Sequence, residues 1–109
     1  MSQCTARAFV FSGRPDPTWP VAKQQAHRLE IVWSQLPTSA ASHHPSPALG
    51  YRGVSLTCVG NKEYFALDGY VKRTIGYTTE WKKDSKRLFE RLLLGSAPNG
   101  LLPIEIIET

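Results

Sequence analysis

Apolar residues alternate at the start of the chain. In "CTARAFVF", from Cys4 to Phe11, Ala6, Ala8 and Val10 fall on one side of an extended backbone and Arg7, Phe9 and Phe11 on the other, the pattern of a half-buried strand. Gly13, Pro15 and Pro17 end it, because proline lacks a ladder donor and holds its preceding residue extended. From Pro20 to Leu36 the spacing becomes helical, with Ala22, Ala26, Leu29, Trp33 and Leu36 on one face. Pro20 suits the first helical turn, Pro37 stops the helix, and Thr18 or Asp16 is the candidate cap. Residues 38–47, "TSAASHHPSP", carry no period and predict a mobile loop.

Alternation returns in "YRGVSLTCV", where Val54, Leu56 and Cys58 oppose Ser55, Thr57 and Val59, giving a second strand over 51–58. "GNKE" supplies a hairpin turn, and "YFALDGYVKRTI" returns as a third strand. Asp68-Gly69 is itself a turn signal. Parity favours one strand running through it, with Phe65, Leu67, Val71 and Arg73 on a common face. "DSKRLFERLLLG" reads as a helix with Asp84 at its N-cap, Leu88, Phe89, Leu92 and Leu93 as its apolar stripe, and Gly95 past its end. The tail "LLPIEIIET" offers a short edge strand.

These elements predict one α+β domain over residues 1–109: a small antiparallel sheet of three to four strands with two helices packed on one face, in the order β-α-β-β-α(-β).

Charge adds a location. The 109-residue chain carries a net charge of +4, and the segment from Lys72 to Arg91 accounts for that excess. Such a region attracts anions. The first residues lack a basic leader before an apolar run, and no stretch is long and apolar enough to span a bilayer, so the expectation is a cytoplasmic protein with no membrane partner. Cys4 and Cys58 both lie in strand-like runs and read as small buried hydrophobes. A disulfide, a redox pair or a metal half-site is the alternative, open if the two strands are neighbours.

The segment "FSGRPDPTWP" concentrates candidate chemistry. Prolines stiffen a bend that would aim Arg14, Asp16 and Trp19 at a ligand, the arginine gripping a carboxylate or phosphate. The plainer reading pairs Arg14 with Asp16 and packs Trp19 on the core. "GYRG" places Tyr51 and Arg52 between glycines at the start of the second strand, and convergence of Arg14 and Arg52 with Trp19 and Tyr51 would suit an anionic or planar guest. "FSGRPDPTW", "LGYRGV" and "RLFERLLL" together resemble a pattern in small uncharacterised bacterial proteins with a Phe-Ser-Gly-Arg-Pro-x-Pro-x-Trp signature. The resemblance implies a bacterial origin and that the first loop and "YRG" form one unit. It implies no activity and no catalytic residues.

His43 and His44 are adjacent and lack zinc-ligand spacing, so neither a metal nor a cofactor is expected. No nucleophile motif or phosphate loop is present. Three functions follow. The first is a binding or interaction module for an unknown protein or anionic small molecule, monomeric or a small homo-oligomer, using loop 12–19 and the start of strand 51–58. The second is nucleic-acid binding through segment 72–91, with Lys82, Lys83, Lys86, Arg87 and Arg91 for phosphates and Trp81 and Tyr77 for stacking. The third is a small-molecule enzyme or accessory subunit acting on an anionic ligand, with Arg14, Asp16 and Asp68 as candidates.

Overall fold

The computed structural model describes residues 4–10, 15–40 and 51–102. Its elements are β1 (Cys4–Ala8), β2 (Thr18–Val21), α1 (Lys23–Gln35), β3 (Val54–Cys58), β4 (Lys62–Leu67), β5 (Tyr70–Ile75), β6 (Thr78–Lys83) and α2 (Leu88–Gly95). All neighbouring strands pair antiparallel, in the spatial order β2-β1-β3-β4-β5-β6.

The class is α+β, but the expected sheet of three to four strands in the order β-α-β-β-α is corrected to six strands in the order β-β-α-β-β-β-β-α. Three local causes explain the difference. "TWPV" is the edge strand β2 and not a helix start; proline is tolerated on an edge, and Trp19 and Val21 point inward beside Ala6 and Cys4. Asp68 (φ 54°) and Gly69 (φ 85°) are both left-handed, the geometry of a two-residue hairpin turn. The strand expected to run through them is therefore two, and Val71 pairs with Ala66 on the inner face instead of joining Phe65. Finally, "TTEWKK" is a strand without an apolar face, so no hydrophobic alternation marks it.

Both helices pack on the same side of the sheet. α1 buries Ala26, Leu29, Val32 and Trp33, and the Trp33 ring meets Tyr64 of β4 edge-on at 5.7 Å. Tyr64 also contacts Phe89 of α2, with ring centroids 5.3 Å apart. α1 is shorter than expected and begins after Ala22 without a side-chain cap. α2 does use Asp84, but from three residues before the observed N-cap, Arg87: its buried carboxylate accepts the amides of Leu88 (2.8 Å) and Phe89 (2.9 Å). The buried stripe is turned by about one position, with Phe89, Glu90, Leu93 and Leu94 inside and Leu88 exposed.

The chain leaving α1 runs along β6. The Lys83 amide donates to the Pro37 carbonyl and the Ser39 amide to the Trp81 carbonyl, each at 2.9 Å, so this sheet edge is covered. Of the expected mobile loop, 41–47 lies outside the described residues, as does the tail from Pro103.

Cys4 and Cys58 face each other across β1 and β3 and form a disulfide that closes a sequence separation of 54. Separate buried thiols are thus replaced by the alternative reading. The period of two places both sulfurs on the inner face, and the β1–β3 pairing makes them neighbours. Among the described residues no helix is long and apolar enough to cross a membrane.

Candidate functional site

The first loop and the "YRG" segment flank the same end of β1. The Ala8 amide donates to the Pro17 carbonyl (3.1 Å), the Phe9 amide to Gly53 (2.9 Å) and the Arg52 amide to Phe9 (2.7 Å). Asp16 is committed internally: its carboxylate accepts the Val10 amide at 3.0 Å and stands 3.5 Å from the Arg7 guanidinium. Trp19 is 2 % exposed and belongs to the core. Its Nε1 donates to Ser96 Oγ at 2.8 Å, and that hydroxyl donates to the Leu93 carbonyl. Arg52 is exposed at this end of the strand, while Arg14 lies outside the described residues. Asp68 occupies the β4–β5 turn.

Tyr51 turns toward α2, where its hydroxyl donates to Glu90 Oε2. Arg87 grips the same carboxylate with two donors, Nε to Oε1 at 3.2 Å and a terminal nitrogen to Oε2 at 2.8 Å. Glu90 is 1 % exposed, so this carboxylate depends on those donors. Burial, and then the hydrogen bond to Glu90, push the Tyr51 hydroxyl far above the ordinary tyrosine value. The hydrogen bond to Glu90 raises Arg87, against its own burial. A tyrosine in the unfolded chain ionises near pH ~10, whereas Tyr51 holds its proton in the fold. The native state therefore binds more protons above that pH, and its stability falls as pH rises further. Chemical denaturation from about pH 8 to 11 should show this decline, and Tyr51→Phe should flatten it. Tyr64, also raised by burial, leaves a residual slope.

The basic segment is divided by strand alternation. Lys82 is buried on the helix side, where its ammonium donates to the Trp33 carbonyl at 2.8 Å and sits 4.6 Å from the Trp33 ring centre. Arg87 is held by Glu90. Lys86 and Arg91 are exposed around α2, whereas Lys83 is exposed on the opposite face of the sheet. The five cations do not form one patch.

A different constellation arises on the sheet face turned away from the helices. Cross-strand pairing aligns Thr18, Arg7, Ser55, Phe65, Lys72 and Trp81 in one lateral row across all six strands. The Lys72 ammonium lies 5.9 Å from the Phe65 ring centre and 5.8 Å from that of Trp81. The Arg7 guanidinium is 5.2 Å from the Phe9 ring, which meets Phe65 at 5.9 Å. Gly53 makes room for this cluster: at φ 109°, a Cβ added there would meet the Phe65 ring at 2.5 Å. The neighbouring row holds Thr5, Thr57, Glu63, Thr74 and Thr79. Glu63 is the single carboxylate among the strand positions of this face, against Arg7, Lys72 and Lys83.

Sequence reading singled out Trp81 and Lys83, and Lys72 as the start of the basic segment, but not Arg7, Phe9 or Phe65. The available signal was the solvent side of β1, β4, β5 and β6, where aromatics and cations stand among the small polar residues usual there. It was legible only once register was known.

A cavity of about 570 Å³ lies between the β3–β4 and β5–β6 turns, lined in part by Cys58, Lys62, Glu63 and Tyr77. Its lysine is already bonded to Glu30 at 2.9 Å. Among the described residues no group of three His, Cys, Asp or Glu side chains is placed to hold a metal. Set against protein families, curated proteins and solved structures, the chain matches none of them.

Proposed function

We propose that this protein is a binding module whose working surface is the sheet face opposite the helices. One observation carries the reading: the Lys72 ammonium sits between Phe65 and Trp81 in a row of cross-strand neighbours that also contains Arg7. A sheet needs only one buried face, and here the helices cover it. Aromatic rings on the other face have no packing task in the core. Half-buried rings beside cations, held on rigid strands, bind a ligand with little loss of conformational freedom.

This surface replaces the one centred on loop 12–19. Asp16 and Trp19 are engaged within the fold, which weakens both the loop reading and the enzyme reading that used Asp16. Location bears on the disulfide. In a cytoplasmic setting the pair rests mainly as thiols, whereas an oxidising compartment keeps the bond. The working face is on the other side of the sheet from both sulfurs.

The test is amide NMR titration of the labelled protein with three polyanions in turn: a single-stranded oligothymidylate, a heparin fragment and a polyglutamate. Shifts from at least one should concentrate on Arg7, Phe9, Phe65, Lys72, Trp81 and Lys83. Shifts confined to 15–19 and 51–52, or to α2, would reject this surface, as would the absence of shifts with all three.

A further inference from the structure

We infer that the ligand of this face is single-stranded nucleic acid, with bases stacking on Trp81 and Phe65 and phosphates meeting Lys72, Arg7 and Lys83. The inference rests on the sheet face being the working surface. The lateral row alternates rings and cations. Adjacent strands are about 4.8 Å apart, so Phe65 and Trp81, two strands apart, stand roughly 10 Å from each other with a cation between them. A single strand presents the complementary alternation of planar, unstacked bases and one phosphate per nucleotide. Every base has a π-face, so two aromatic platforms accept any sequence.

Charge points the same way. The strand positions of this face hold three cations and one carboxylate, and with Asp16 3.5 Å from Arg7 counted the face keeps a net positive charge centred on Lys72 and Lys83. An acidic peptide would satisfy the cations but leave both rings against water, and a duplex would hide the base faces that the rings require. The threonines of the next row, among them Thr74 and Thr79 with their hydroxyls 3.3 Å apart, supply donors beside the backbone path. Because Lys72 and Arg7 already lie over rings, a bound base and phosphate substitute for contacts that the free face makes with itself. The surface is pre-ordered for that exchange.

Tryptophan fluorescence reads the test, since Trp19 and Trp33 are buried and Trp81 is the tryptophan half-open to solvent. A 12-nucleotide oligothymidylate at about 50 mM salt should quench it and lose affinity as salt rises. Trp81→Ala, which removes that reporter and is read instead by the anisotropy of the same oligonucleotide carrying a terminal fluorophore, should weaken binding by about tenfold or more. Lys72→Gln should weaken it and reduce the log–log salt slope by about 0.7, the share of one phosphate in a single strand. Lys86→Gln with Arg91→Gln, on the helix side, should leave affinity unchanged. Circular dichroism confirms folding of each variant, and if Trp81→Ala does not fold, Lys72→Gln decides.

No binding of the oligonucleotide at that salt would overturn the inference, as would wild-type affinity in Trp81→Ala and Lys72→Gln. Loss of binding in the Lys86 and Arg91 double variant would move the site to the helix side of the sheet. A heparin fragment binding as tightly, with the same Trp81 dependence, would mean that the face reads only charge; the face would then stand as the working surface and the nucleic-acid ligand would fall.

Discussion

Replacing both Cys4 and Cys58 by alanine should lower stability by roughly 4 kcal/mol and the melting temperature by on the order of 15 °C or more. The figure follows from loop closure. The disulfide joins residues 54 apart in sequence, and releasing a loop of that length restores most of the chain freedom that the cross-link denies the unfolded state. What the loop contains makes the effect structural as well as entropic: β2, α1 and the whole segment leading to β3 lie between the two cysteines. Scanning calorimetry of the oxidised protein, the reduced protein and the double-alanine variant is the measurement. Reduced and double-alanine forms should melt close together, well below the oxidised form. Identical melting of all three would mean that the β1–β3 pairing needs no cross-link. Because the sulfurs lie on the inner face, reduction should leave ligand binding by folded molecules unchanged.

Arg87→Ala should cost about 3 kcal/mol, the lower end of what is lost when one member of a buried ion pair is removed. Glu90 is 1 % exposed, whereas the Arg87 side chain is 25 % exposed, so water softens the loss. With the guanidinium gone, Glu90 keeps a buried charge with Tyr51 as its remaining side-chain donor. A substitution series separates the electrostatic cause from the backbone one. Arg87 is left-handed at φ 55°, and alanine keeps that strain while glycine relieves it. Arg87→Gly should therefore lose less than Arg87→Ala. Adding Glu90→Gln to Arg87→Ala should recover part of the loss, because it removes the stranded charge and keeps the shape. Urea denaturation gives each value from midpoint and slope. An Arg87→Ala variant as stable as the parent would show the network to be dispensable.

The apolar alternation of β1 and β3 and the period of α1 were plain in the sequence, and they place Ala6, Ala8, Val10, Leu29, Trp33, Val54 and Leu56 in the core. β6 was not legible, because its inward residues Glu80 and Lys82 are polar. They are satisfied by Arg73 and by the Trp33 carbonyl, partners that only folding brings near. Trp19 stood in a proline-rich bend and looked available for recognition. Its indole proton is instead matched by Ser96, 77 residues away. The same blindness hid the candidate site. Arg7, Phe65, Lys72 and Trp81 come from four strands, and nothing in their spacing along the chain relates them.

By itself, then, the sequence determined which stretches could bury a face, since periodicity is a local property set by backbone geometry. It also marked the end of α1 at Pro37, whereas the turn signal at Asp68-Gly69 was outweighed by the alternation on either side of it. Only the tertiary structure decided which strands are neighbours, and with that the Cys4–Cys58 bond, the burial of Lys82 and Glu90, and the row from Arg7 to Trp81. Register is a relation between distant segments: a shift of one residue in any strand would send Phe65 or Lys72 to the other face, and the row exists because core burial on the inner side forbids that shift.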